Sequence, residues 1–247
     1  QTPAPVAEEN ASPTDLGKLD IADGSITITA SGYTQGETTE TYTGDYVISQ
    51  TGTQANYIHI NGGTHNITLD NVNLNGWIQI NTSKHTNDKG PFFVEGNANV
   101  TLTLAGTNTV ESPSACVCAA VEAVNGSALT IKGNGTLNAT AKHGECTGIG
   151  GSRWRVVGTV TIESGTINAT GGGSYATGIG PGRLQNGGTF IINGGTVTST
   201  GGSYAMGSGR DAKATKVEIN GGLVTAKNGI GATTIKMTGG TANLGTK

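Results

Sequence analysis

The feature that most constrains this chain is a fourfold internal repeat in its C-terminal half. The copies read "ALTIKGNGTLNATAKHGECTGIGGSRW", "TVTIESGTINATGGGSYATGIGPGRL", "TFIINGGTVTSTGGSYAMGSGRDA" and "KVEINGGLVTAKNGIGAT". Their columns hold residue type. Leu129, Val160, Phe190 and Val217 form one, and Ile131, Ile162, Ile192 and Ile219 the next. After a glycine-bearing corner come Leu137, Ile167, Val197 and Val224, then Ala139, Ala169, Ser199 and Ala226. Copies lie 27 to 31 residues apart, and "NVTLTLAGTNTV" and "HNITLDNVNLNGWIQI" extend the pattern upstream through Leu102, Leu104, Val110, Ile67, Leu69, Val72 and Leu74. A period of this length marks units that bury their apolar faces only by stacking on one another.

Within a copy the apolar residues alternate with Thr, Asn or Glu, which is the period of a strand with one buried face. Val160 and Ile162 share one phase, Ile167 and Ala169 the other, and the change falls at Ser164-Gly165. Each copy reads as two short strands around a corner, a third through "TGIG", and a loop. No stripe of helical period survives beyond one turn. The expected fold is all-β: a single-stranded, right-handed parallel β-helix of about 7–8 coils, three short strands per coil. It occupies residues 18–247, behind a flexible polar leader at 1–17.

Composition agrees. The chain has 42 glycines in 247 residues, 4% aromatics and 13% charged residues, too turn-rich and too weakly charged for a helical or doubly wound domain. Net charge is −3, split as −7 over residues 1–50 (eight acids, one lysine) and +4 over the rest (nine acids, thirteen Lys/Arg). That imbalance, without an aromatic-studded basic stripe, argues against a nucleic-acid partner. No run of 18 apolar residues exists, so membrane insertion is not expected. The residues set no oligomeric state.

The run "GDYVISQTG…INGGTHNITLDNVNLNG…SALTIKGNGTLNAT…TGIGGS…GTVTIESGTINATGGGSYATGIGPG" resembles the glycine-rich β-helix regions of large secreted or surface proteins of gut-type anaerobic bacteria. More loosely it is similar to pectate-lyase-like carbohydrate-binding β-helices of cellulolytic clostridia. The resemblance covers about residues 18–240 and is specific to architecture. It implies export and a secreted or cell-surface location. It says little about activity, because one such fold hosts lyases, hydrolases, adhesins and inert stalks. The sequence departs from a plain glycine run at "GGSRW", "GPGRL" and "GSGRDA", and the departures are where a site is expected.

The "TGIG" glycines do not form a phosphate loop, since no long helix and no Lys-Ser/Thr follows. They recur at coil spacing and read as corners. A β-helix lyase or hydrolase needs clustered carboxylates. Between Asp70 and Asp211 the only aspartate is Asp88, and Glu95, Glu111, Glu122, Glu145 and Glu163 occupy different coil positions. Glu122 and Glu145 approach one another if Cys118 lies beneath Cys146, as a solvated pair. Catalytic residues are therefore not expected.

A binding strip is the stronger expectation. Arg153 and Arg183 follow "GIG" at the same offset and should stack one coil apart, with Trp154 and Arg155 in the same loop and Arg210 two residues earlier in phase. Tyr175 and Tyr204 continue the position of Glu145. Such a strip offers aromatic faces to sugars and guanidinium forks to carboxylates or sulfates. The plain alternative is that solenoid loops are simply exposed and the tyrosines pack over glycine corners.

Three further features carry less. Tyr57, His59, Trp77, Phe92 and Phe93 form an N-terminal aromatic group, read chiefly as a plug for the open solenoid end and otherwise as a binding platform. Asp20, Asp23, Glu37, Glu40 and Asp45 make calcium the one metal worth considering, although no loop has a calcium-motif spacing. The threonine columns Thr136–Thr166–Thr196 and Thr140–Thr170–Thr200 resemble an ice-binding face and are more simply β propensity. Cys118 and Cys146 align at a spacing of 28, with all three thiols outward if Val117, Ala119 and Val121 point in; either one bridge or free thiols fits. The sequence thus reads as an exported, non-catalytic β-helix binding a polysaccharide or host glycan and needing no cofactor. A spacer or adhesin stalk is the alternative, and a polysaccharide lyase or hydrolase the third.

Overall fold

A computed structural model describes residues 17–80 and 88–245, so the 1–17 leader lies outside the described residues but for Gly17. Among these residues there is no α-helix, only one 3-10 turn at Ile21–Asp23, and the rest of the regular structure is strand. The strands fall into three sheets of nine, seven and eight, paired in parallel except at the N-terminal hairpins. The chain visits them in rotation. One coil runs from Ala128–Gly133 in sheet I, through Thr136–Ala141 in sheet II, to Ile149–Gly150 in sheet III. This is a three-sided parallel β-helix.

Register reproduces the sequence columns. Leu129 pairs with Val160, Val160 with Phe190 and Phe190 with Val217. Leu137, Ile167, Val197 and Val224 do the same on sheet II. All eight are at most 2% exposed, which ties the alternation in sequence to one continuous core. Burying each such side chain is worth about 1.5–3 kcal/mol. Asn108 is the exception on the inner face. It is fully buried, accepts from Val72 N (3.1 Å) and donates to the carbonyls of Ala105 (2.9 Å) and Thr136 (3.3 Å), so its polar atoms are satisfied.

Coil length is regular only in the middle. Successive sheet I partners are 29, 31, 30 and 27 residues apart from Asn99 to Lys216, but 21 and 35 apart before that and 18 after. The insertions and deletions sit in loops, so the strands stay in register. At the last coil the inward column ends in Ile235 and Met237, 48% and 47% exposed, with no further strand paired to them among the described residues.

The N-terminal end is closed differently from expectation. Two antiparallel pairings, Ile26–Thr29 with Gly32–Gln35 and the latter with Thr38–Thr41, extend sheet III there. Tyr33, Tyr42 and Tyr46 meet edge to face, with centroids 6.0 and 5.2 Å apart. Tyr46 is fully buried and donates its hydroxyl to the Tyr42 carbonyl at 3.1 Å; burial, with Tyr42 and Tyr33 beside it, pushes its phenol up to about 12. The expected plug residues lie elsewhere. Phe92 belongs to the lateral core, while His59 and Phe93 are neighbours on the outer face of sheet III.

The cysteines also depart from expectation. All three are fully buried rather than outward, and Cys116 is paired with Cys118 while Cys146 is free. Alternation fails between Pro113 and Ala120 because that stretch is turn, not strand. Burial pushes the Cys146 thiol up to about 12.

Candidate functional site

The "TGIG" glycines are explained by close approach. Ile149 and Ile179 face the core, so Gly150 and Gly180 face outward on sheet III. A Cβ on Gly150, at φ 135°, would stand 2.0 Å from the Gly180 carbonyl oxygen. Only glycine permits that contact and that backbone. The loop that follows then folds over the coil corner and carries its arginine outward.

Three such loops align. The residue after each arginine is left-handed: Trp154 (φ 64°), Leu184 (φ 67°) and Asp211 (φ 59°). Backbone bonds clip each loop to a neighbour: Trp154 N to Arg183 O (3.2 Å), Arg183 N to Glu145 O (3.1 Å), Arg210 N to Tyr175 O (3.0 Å). Arg153 and Arg183 stack in adjacent coils, as their offsets imply. Arg210, expected two residues out of phase, is instead in phase. Met206 pairs with Ile179, so Gly207 falls beside Gly180 and Arg210 follows at the same offset of three. Tyr204 takes the displacement. The coil loses three residues between Thr200 and Met206 relative to Thr170–Ile179, so Tyr204 lies two before the sheet III residue where Tyr175 lies four before. The tyrosines do not share a column.

The arginines are largely committed. Glu145 is 12% exposed at its side chain and accepts from Arg153 (2.7 Å) and from Arg183. Glu145, then Asp211, raise the already high Arg183 pKa. The guanidiniums also stack on rings: Arg153 on Trp154 (3.6 Å), and Arg183 and Arg210 on Tyr175 (4.8 and 4.6 Å). What stays open to solvent is Trp154, 46% exposed, and Arg210, with 56% of its side chain exposed.

Arg155 leaves the strip. It turns onto the outer face of sheet III, bonding Glu122 (3.1 Å) and the Asp88 carbonyl (3.0 Å) and stacking 4.8 Å over Phe93. Glu122 is therefore buried, not solvated beside Glu145; it also accepts from Ser152 N (3.2 Å) and Oγ (2.5 Å). On the same face Glu95 accepts from Lys89 (2.5 Å) and pairs with His59 (2.7 Å). Burial, with Lys89 nearby, pushes His59 below its ordinary value against the pull of Glu95. Burial alone would raise the Glu95 carboxyl, but Lys89 and His59 hold it below the usual range. The repeat did not expose this cluster, although His59, Phe93, Glu122 and Gly150 share one outward column.

A cleft of about 580 Å³ opens at the C-terminal end of the strip, lined by Tyr204, Asn186, Asp211, Lys213, Gly231 and their neighbours. Sheet I resumes ten residues after Ile149, Ile179 and Met206, but only four after Ile230. The cleft lies where a fourth arginine loop would sit.

Among the described residues no group of three or more His, Cys, Asp or Glu side chains is placed to hold a metal ion. Asp20, in the acidic segment considered for calcium, accepts from Ala22 N (2.9 Å), Thr51 N (3.1 Å) and the Thr51 hydroxyl. The threonine columns are in register on the outer face of sheet II.

Comparison of the chain with family models, with curated proteins and with solved structures finds no match in any of the three. Fold and site together define the molecule as a three-sided parallel β-helix with a strip of arginine–aromatic stacks along one corner.

Proposed function

We propose that this chain is an exported, non-catalytic β-helix that binds polysaccharide or glycan along the arginine–aromatic corner. The observation that carries this reading is the exposed Trp154 ring, held on a left-handed backbone with the Arg153 guanidinium 3.6 Å from its centroid. Holding a large aromatic open to solvent at a strained position is unfavourable for folding alone, whereas a rigid exposed ring suits the apolar face of a sugar. The secreted or cell-surface location follows from the resemblance of the glycine-rich repeats to surface β-helices. Retention on insoluble plant and mucin polysaccharides tests the reading: the protein should be held, and Trp154→Ala together with Arg210→Ala should release it.

A second reading is a spacer or adhesin stalk with no small ligand. It is favoured by the pairing of Arg153 and Arg183 with Glu145, which serves loop stability without any partner. Under it no polysaccharide is retained.

A further inference from the structure

We propose that the cleft at the end of the strip is a subsite for a neutral sugar unit rather than for a uronate or a sulfated sugar. This rests on the carbohydrate-binding reading above and says which sugars it admits and where.

The cleft is a product of the last coil's short loop. In the two preceding coils the corresponding space is filled by a neighbouring arginine loop; here Gly231 and Ala232 form one wall instead. Tyr204 stands where Thr147 and Thr177 stand in earlier coils, two residues before the sheet III residue, so a ring replaces a small side chain just where space opens. Gly231 lies against that ring. A Cβ there would come within 3.0 Å of Tyr204 Cδ2 and 3.1 Å of Ser208, so glycine keeps the approach to the ring clear. At about 580 Å³ the cleft falls within the size range of small-ligand sites, about 300–1,000 Å³.

The lining chemistry selects the ligand. Asp211 supplies an acceptor, Lys213 a donor, and Asn186 a side-chain amide whose oxygen is already used by Lys213 N at 2.7 Å. The Asn186 amino group is left to donate. One carboxylate and one ammonium give the cleft no net charge. An anionic sugar meets Asp211, and a free cation meets Lys213. The guanidiniums that would favour an anion are taken: Arg183 by Glu145 and Arg210 by the Tyr175 ring. A neutral polyol uses the acceptor, both donors and the ring without an unpaired charge.

The probes are cellohexaose, mannohexaose, xylohexaose and hexagalacturonate, titrated by calorimetry into the whole chain. At least one neutral hexaose should bind and hexagalacturonate should not. Asp211→Asn and Lys213→Met, both at exposed positions, should each weaken the neutral probe about tenfold, the size expected for one hydrogen bond to a charged group. Gly231→Ala should weaken it further by narrowing the cleft. Preference for hexagalacturonate overturns the neutral assignment and leaves the carbohydrate reading standing. Neutral binding that survives all three variants but falls with Trp154→Ala overturns the cleft alone. Failure of every probe to bind overturns both.

Discussion

Arg183 reaches back one coil to Glu145 twice over, giving its backbone N–H to the Glu145 carbonyl at 3.1 Å and its guanidinium to the carboxylate. Arg153 approaches the same carboxylate from its own coil at 2.7 Å. One acid thus ties two loops 30 residues apart in sequence. Glu145→Gln leaves two guanidiniums side by side without their counter-charge. It should lower the melting temperature by about 5 °C and open both loops to trypsin at Arg153 and Arg183. A protease pattern identical to the parent would show that the acid does not organise the strip.

Glu122 poses a harder electrostatic problem, because its carboxylate is 1% exposed. Removing one member of a buried pair typically costs about 3–5 kcal/mol, while replacing both by apolar residues costs much less. Glu122→Ala should therefore destabilise strongly, and Glu122→Met with Arg155→Met should recover most of the loss. Chemical denaturation of the two variants checks the order.

The sign of the pH dependence follows from His59. Its folded pKa lies below the unfolded value of about 6.5, so the unfolded chain binds more protons in this range. Its contribution to stability is present above pH about 6.5 and is lost as pH falls from there through the folded pKa. Glu95, also held low, adds a loss only in the more acidic range below about 4.5. Melting measured from pH 7.5 to 5 should fall, and His59→Gln should flatten that fall. An unchanged slope in His59→Gln would exclude this histidine as its origin.

Gly150→Ala places a methyl 2.0 Å from the next coil's carbonyl oxygen and should cost more than about 3 kcal/mol. Thr140→Ala, on the outer face of sheet II, should stay within about 0.5 kcal/mol of the parent. Equal melting temperatures for the two would contradict the close-packed corner.

Much of this could be read from the residues, because inward columns repeat in both type and phase. Leu129, Val160, Phe190 and Val217 were visible as a column before any register was known. The end coils were not, since their loops change length while their strands shrink to two to four residues, leaving little pattern to align. The cysteines were misread for a related reason: alternation says where side chains point only inside a strand, and Cys116 and Cys118 sit in a turn. The displacement between Arg210 and Tyr204 shows the same limit. A deletion of three residues moved one of them out of column, and sequence spacing alone assigned it to the wrong one. The His59–Glu95–Glu122–Arg155 face was hidden because its members come from different coils and are covered by segments outside the repeat.

Because loop length varies while the sheets keep register, a coil is a unit that can be copied whole. Duplicating one 30-residue coil would add a rung about 4.8 Å further along and leave every existing contact between coils in place. Affinity for a long polymer would then grow by valency, through the raised effective concentration of neighbouring rungs, with no single rung improved. A corner built this way strengthens its grip by counting.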